Sequence, residues 1–202
     1  MGLFDVFRRR PPIRSNDELA KFIDENAAFL IQKAIYEYSR ARAGHYSKVL
    51  FAEAGFRSAV EVSRWRAYPL GLAMVAEVVD GVLRSQPGGR AQPTFDELVA
   101  IVLSVFDSYS VPEALGPEVW RELRADLELR LRRIASHPPK RAMDIPAPYV
   151  QQYFELMPIH EKLRGRDLPT THNYMSVTLC NIHDDLTRRL VPHPTDRMAA
   201  AH

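Results

Sequence analysis

Residues whose side chains could bind a metal or take part in catalysis are concentrated in the last third of the chain. Histidines, acids and the one cysteine lie close together there in the sequence. The set comprises His160, Glu161, His172, Cys180, His183, Asp184 and Asp185. Imidazole nitrogens and carboxylate oxygens are common ligands of zinc and related divalent metals. On a helix, Cys180 and His183 are three residues apart and share a face. The segment therefore predicts either a metal site or a solvated, hydrogen-bonded helix face.

The adjacent pair His183 and Asp184, on an expected helix, is similar to the centre of the HD-domain phosphohydrolases, which are all-α metal enzymes. That family also places a histidine well upstream and a further aspartate well downstream. In this chain His160 or His172 can take the first position, and Asp196 is the one aspartate that follows. The resemblance implies an alternative function: a metal-dependent hydrolase that uses His160 or His172 with His183 and Asp184.

Other catalytic motifs are absent from the sequence. His160 is followed by Glu161, but Arg164 occupies the position of the second histidine in a zinc-protease helix. The chain has no nucleophile elbow, phosphate-binding loop or dinucleotide-binding glycine pattern. Cys180 lies among apolar residues, which predicts a buried, unreactive thiol. The sequence therefore indicates no cofactor and favours a non-enzymatic protein.

The N-terminal segment, residues 1–14, combines apolar residues with a cluster of arginines. Its expected contact residues are Leu3, Phe4, Phe7, Arg8, Arg9 and Arg10. Such a pattern suits a partner surface or an anionic membrane, where each arginine contributes about 1 kcal/mol. The alternatives are an unattached terminus and a segment folded onto the body of the protein. Deleting residues 2–14 is expected to leave the fold intact and to remove membrane or partner binding.

A second expected contact is the aromatic and amide-rich stretch 149–154. Tyr149 and Tyr153 are four residues apart, so they share a helix face. Amphipathic aromatic side chains recur at protein interfaces. They also occur at the edge of a core, with the hydroxyl in water. We expect these two tyrosines to contact a protein partner if the last third of the chain is used for binding.

Composition excludes several function classes. The chain has 202 residues, of which 46% are hydrophobic and 26% charged, as in soluble globular proteins. One cysteine excludes an internal disulfide framework. Residues 1–14 carry a formal net charge of +3 and the whole chain carries +2, so the remaining chain is nearly neutral at −1. A nucleic-acid-binding domain normally carries a basic face, so no nucleic-acid partner is expected.

The cellular location of the protein is indicated by its apolar stretches, by the order of charges at its N-terminus and by its ratio of arginine to lysine. No stretch approaches the roughly 18–20 apolar residues that a membrane span needs. The arginines follow the short N-terminal apolar stretch, whereas a secretory signal places its charge first. Arginine outnumbers lysine 22 to 5, which is typical of a GC-rich bacterial genome. We expect a cytoplasmic protein whose N-terminus contacts the inner membrane surface or a partner.

Apolar residues recur at spacings of three and four, which predicts an all-α fold. We expect a single compact bundle of about six or seven helices over residues 15–191, with a loose tail at 192–202. Two N-terminal capping boxes are predicted, one with Ser15 and Glu18 and the other with Thr94 and Glu97. Gly44 is expected to end the first helix.

The middle of the chain predicts the centre of the bundle. Residues 70–83 are apolar on nearly every side, which is typical of a fully buried helix. A bend is expected at Gly55, and Pro69 is expected to kink the chain or begin a new helix. These features together favour a helical adaptor, assembly or regulatory protein that acts through protein contacts, with homo-oligomers also allowed.

Overall fold

A computed structural model describes residues 11–85, 93–159 and 167–190. In these ranges the chain is all-α, as predicted, and contains no strand apart from one isolated bridge between Ile13 and Leu190. The helices are α1 (Asn16–Ala43), α2 (Ser47–Ala52), α3 (Ala54–Ser85), α4 (Phe95–Asp107), α5 (Gly116–Ile134), α6 (Val150–Glu155) and α7 (Leu168–Arg189). Short 3-10 helices cover Gly44–Tyr46 and Ala142–Asp144.

The second half of α3 is the centre of the bundle. Every residue from 70 to 83 is buried except Gly81, which is half-buried. This segment contacts α1, α4, α5 and α7, so it has no solvent-facing side. The helix runs through Pro69 without ending, contrary to the prediction of a new helix there. Burial of the residues on both sides offsets the missing N–H of the proline, which costs about 3 kcal/mol in a helix interior.

Helices α1 and α3 cross at Gly71. A Cβ atom placed on Gly71 would lie 2.6 Å from Ile31 Cγ1 and 3.1 Å from the carbonyl oxygen of Ala27. Both distances are shorter than ordinary van der Waals contact, so only glycine permits this separation of the two helices. The crossing fixes the position of α1 on the core.

Local signals set the helix ends. Thr94 and Glu97 form the complete predicted capping box at the start of α4. At the start of α1, the Ser15 hydroxyl accepts from the backbone N–H of Glu18. The Glu18 carboxylate, however, accepts from the backbone N–H of Arg14 at 2.6 Å and not from that of Ser15. The predicted box is therefore half formed. Gly44 ends α1 with a φ of 53°, as expected for a glycine cap.

The break between α2 and α3 falls at Glu53, two residues before the predicted bend at Gly55. Glu53 adopts an extended conformation, with ψ at 128°, and its N–H donates to the carbonyl oxygen of Leu50. Gly55 lies inside α3 with open space around its Cα. In the described part of the chain, no helix has both the length and the apolar character required to cross a membrane.

Helices α1 and α7 lie side by side and antiparallel. Arg42, near the end of α1, forms an ion pair with Asp167, which precedes α7. At the opposite end, Ile13 precedes α1 and pairs with Leu190, which follows α7. The two helices are therefore tied together at both ends, and a long surface groove lies between them.

Candidate functional site

The expected contact residues of the N-terminal segment, from Leu3 to Arg10, lie outside the described residues, so their membrane or partner contact stays a prediction. The described part of the segment packs against α7. Ile13 is 3% exposed, and its N–H donates to the carbonyl oxygen of Arg189 at 2.8 Å. Deleting residues 2–14 would therefore remove a core side chain, and the expectation that the fold stays intact after this deletion remains a prediction.

Of the candidate metal ligands that the structure describes, His172 does not meet His183 and Asp184. His172 and His183 lie on the same helix, eleven residues apart, which separates them by about 16 Å along its axis. No single ion can bind both side chains. His160 lies outside the described residues. Among the residues that the structure describes, no group of three or more His, Cys, Asp and Glu side chains could hold a metal.

His183 and Asp184 lie on the solvent side of α7. Their side chains are 44% and 69% exposed, and His183 Nδ1 is 3.3 Å from an Asp184 carboxylate oxygen. This is the solvated, hydrogen-bonded face that was the other interpretation of the segment. Cys180 is half-buried rather than fully buried, because it lies at the edge of the face that α7 packs on the core.

Tyr149 and Tyr153 are core residues in this structure. Tyr153 is fully buried, and its hydroxyl donates to the carbonyl oxygen of Ile31 at 3.1 Å. Tyr149 is 6% exposed, and the guanidinium of Arg130 lies over its ring. Burial raises the pKa of Tyr149 to about 12, so its hydroxyl stays neutral. Neither ring presents a surface that a partner could contact in this structure.

A buried acidic group on α3 is held by the loop after α5. Glu77 is 3% exposed, and Lys140 Nζ forms an ion pair with its Oε1 at 2.8 Å. The angle at this contact is not that of a hydrogen bond. His137 Nε2 lies 3.7 Å from the same oxygen. One turn further along, Asp80 pairs with Arg84, whose guanidinium also donates to the carbonyl oxygen of His137. This network attaches the loop to the central helix.

A groove between α1 and α7 has a volume of about 1160 Å³. Small-molecule pockets usually enclose about 300–1,000 Å³ and bury most of the ligand. This groove is larger and open along one side. Its size therefore suits a segment of polypeptide better than a small molecule.

The α1 wall of the groove is a stripe of side chains at helical spacing. It consists of Glu18, Phe22, Asn26, Phe29 and Lys33, with Lys21 and Glu25 at the rim. Phe29 is 49% exposed, which is high for a phenylalanine. Lys33 Nζ lies 5.0 Å from the centre of that ring. Asn26 donates to the carbonyl oxygen of Phe22 at 2.8 Å, which leaves its amide oxygen directed away from the helix.

The α7 wall repeats the same alternation of apolar and amide groups. Every fourth residue lines the groove: Asn173, Val177, Asn181, Asp185 and Arg189. Val177 is 53% exposed and lies between the two asparagines. In the described part of the chain, no residue bonds to the side-chain amides of Asn173 and Asn181. Each amide offers both donors and an acceptor to a bound molecule.

Tyr174 adds a neutral donor at the base of the groove. Burial raises the pKa of Tyr174, so its hydroxyl keeps its proton at neutral pH. This hydroxyl oxygen is buried and has no hydrogen-bond partner among the described residues. A buried polar group without a partner costs free energy that a bound acceptor can recover.

Charges along the groove are balanced. The lining contains three acids and three bases, namely Glu18, Glu25, Asp185, Lys21, Lys33 and Arg189. Lys21 pairs with Glu25 at 3.8 Å, and Arg189 pairs with Asp185 at 3.2 Å. A surface that binds a phosphate backbone needs a net positive charge. This lining lacks one, which argues for a protein ligand.

No family model, curated protein or solved structure matches this chain. The function is therefore argued from the lining of the groove.

The sequence analysis did not identify the two exposed apolar residues of the groove, Phe29 and Val177, although each left a signal. Phe29 lies outside the buried stripe of α1, which includes Phe22, Ile23 and Leu30. Val177 likewise lies on the opposite side of α7 from Met175 and Leu179. A large apolar residue outside the stripe that a helix packs on the core indicates an exposed apolar surface. Only the structure shows that the two residues line the same groove.

Proposed function

We propose that this chain is a non-enzymatic adaptor that binds a short, extended segment of a partner protein in the α1–α7 groove. One observation carries the proposal: Phe29 and Val177, both about half exposed, line the same groove from opposite walls. Contiguous apolar surface that remains exposed on a folded protein commonly marks an interaction site.

The dimensions of the groove favour an extended peptide. From Glu18 to Lys33 the α1 wall spans fifteen residues, or about 22 Å along the helix. An extended chain advances about 3.3 Å per residue, so roughly seven residues fill this length. A bound segment of that size is long enough for sequence-specific recognition.

The chemistry of the walls also favours an extended main chain. An extended strand leaves its N–H and C=O groups unpaired, and these groups need partners when water is removed. Asn26, Asn173 and Asn181 supply side-chain amides on both walls for that purpose. Phe29 and Val177 then provide contact surface for apolar side chains of the ligand. We therefore expect a ligand with apolar residues at alternate positions.

A charge placed at the apolar centre of the groove tests the proposal. Val177→Glu introduces a carboxylate into the groove that Phe29 also lines, while Leu129→Glu makes the same change at a 51% exposed site on α5. The tagged full-length chain and both variants are purified from the native host, and each co-purifying protein is quantified by mass spectrometry. We expect at least one protein to be recovered at comparable levels with the parent and Leu129→Glu, and tenfold less with Val177→Glu. Equal recovery of every co-purifying protein with both variants would contradict the proposal.

A further inference from the structure

We propose that residues 1–10 of this chain occupy the α1–α7 groove in cis, as an extended segment that a partner must displace. The occupancy itself is independent of any partner. The displacement deepens the proposed function and rests on it.

The chain enters the described structure at one end of the groove. Pro11 and Pro12 line that end. The carbonyl oxygen of Pro11 accepts from Arg189 Nε at 2.9 Å, and Ile13 is buried against Leu190. The residue before Pro11 is therefore held beside the last turn of α7, where the groove begins.

The direction of the chain at this point leads into the groove. The bridge between Ile13 and Leu190 is parallel, so the chain around Ile13 runs in the same direction as the exit of α7. Followed backwards from Ile13, the chain reaches Pro12 and then Pro11, which both line the groove. A proline also disfavours the helical conformation for the residue directly before it. In the proposed arrangement, the chain before Pro11 continues along the groove.

The length of the segment matches the distance to the apolar centre. From Arg189, which contacts Pro11, to Val177 is twelve residues of α7, or about 18 Å. From Pro11 back to Asp5 is six residues, or about 20 Å when extended. Asp5 therefore reaches the level of Val177, with Phe4 and Phe7 on either side of it in sequence.

The side chains of the segment fit the two walls. In an extended chain, successive side chains point to opposite sides. Leu3 and Phe7 then face one wall, and Phe4 faces the other. The apolar surfaces of Phe22, Phe29 and Val177 are distributed over both walls. A tethered segment also has an effective concentration in the millimolar range, so weak contacts suffice to hold it.

Disulfide trapping tests the position of the segment. The native thiol is removed by Cys180→Ser, and Asp5→Cys places a thiol in the segment without changing its apolar residues. The second thiol is Val177→Cys in the groove or, as the matched control, Leu129→Cys on α5, since the two positions are 53% and 51% exposed. A disulfide requires Cα atoms within about 7 Å.

We expect the intramolecular disulfide to form at least tenfold faster with Val177→Cys than with Leu129→Cys in the same glutathione redox buffer. Equal rates would overturn the proposal. A product that is mainly a disulfide-linked dimer would also overturn it, because the segment would then bind the groove of a second copy of the chain. A spin label at Asp5→Cys in the Cys180→Ser chain gives an independent readout. It should broaden the amide resonance of Val177 and leave that of Leu129 sharp, and the reverse pattern would overturn the proposal. Partner recovery with Val177→Glu is measured separately, so the two proposals can fail independently.

Discussion

The guanidinium of Arg189 joins the two ends of the described chain, because its Nε donates to the carbonyl oxygen of Pro11 at 2.9 Å. The same side chain pairs with Asp185 and lies 5.3 Å from the centre of the Phe22 ring. Arg189 therefore fixes where the N-terminal chain meets the groove. If residues 1–10 occupy the groove, this contact sets their starting point and direction.

Removal of the contact between Arg189 and Pro11 should weaken the binding of residues 1–10 in the groove. We expect Arg189→Ala to lower the rate of disulfide formation between Asp5→Cys and Val177→Cys by at least threefold. The matched control is Arg188→Ala, which removes an exposed arginine at the next position of α7 and should leave the rate unchanged. The rates are measured by non-reducing electrophoresis of samples quenched over time. A rate that is the same in both variants would show that Arg189 does not position the segment.

The α1–α3 crossing should not tolerate a methyl group at Gly71. Gly71→Ala places its Cβ 2.6 Å from Ile31 Cγ1, and the nearby backbone of Ala27 restricts relief of the clash. We expect the free energy of unfolding to fall by about 1–3 kcal/mol, the usual cost of overpacking.

Gly81→Ala is the control for this prediction, because its Cβ meets nothing closer than Pro139 at 3.8 Å. Replacement of a glycine inside a helix by alanine should then stabilise the protein by about 0.5–1 kcal/mol. Both values are obtained from urea denaturation followed by circular dichroism. Stabilisation by both substitutions would contradict the tight crossing at Gly71.

The buried carboxylate of Glu77 should depend on Lys140. Lys140→Met leaves Glu77 with His137, 3.7 Å away, as its nearest base. Breaking a buried pair usually costs about 3–5 kcal/mol, and we expect about 2 kcal/mol here because Lys140 is partly exposed.

The double variant Glu77→Leu with Lys140→Met should recover most of the lost stability, because it removes the buried charge. Lys21→Met serves as the control, since its ion pair with Glu25 is exposed and should change the free energy of unfolding by less than about 1 kcal/mol. Equal effects of Lys140→Met and Lys21→Met in urea denaturation would argue against a buried network.

The start of α4 should give a pH-dependent contribution to stability. Hydrogen bonds from the backbone and the side chain of Thr94 lower the pKa of Glu97. A lowered pKa means that the folded state favours the ionised carboxylate, so this contribution is complete above the ordinary pKa of 4.5 and is lost as the pH falls through the lowered value.

Glu97→Gln should therefore be less stable than the parent at neutral pH, and the difference should shrink in acid. The control is Glu113→Gln, in the loop between α4 and α5, where the carboxylate caps no helix. Thermal denaturation across a pH series provides the measurement. A stability difference that does not change with pH would show that Glu97 acts at this cap without its charge.

Features that depend on neighbours in sequence could be predicted. The Thr94–Glu97 box and the Gly44 cap need only residues within one turn, and both were found where the sequence places them. The buried centre at 70–83 was also predictable, because a segment that is apolar on all sides has to be enclosed. The new helix that was one of the two expectations for Pro69 does not form, because the packing of α3 on five other helices offsets a strong local preference.

The groove could not be predicted in the same way. Phe29 and Val177 are 148 positions apart, and nothing in the sequence indicates that α1 and α7 are neighbours. Their pairing depends on contacts between residues distant in sequence, such as Ile13 with Leu190 and Arg42 with Asp167. The same limit applies to Tyr149 and Tyr153. Their spacing indicates that they share a face, but it does not indicate that this face is buried in the core.

The claim that the α1–α7 groove binds a partner segment is tested most directly by site-specific photo-crosslinking in the native host. A benzophenone amino acid replaces Val177 in one full-length chain and Leu129 in another, since the two sites are equally exposed and lie on different helices. The account predicts that Val177 crosslinks to an apolar segment of at least one other protein, and that Leu129 does not crosslink to it. The same proteins crosslinked at both positions, or none enriched at Val177, would contradict the proposed function.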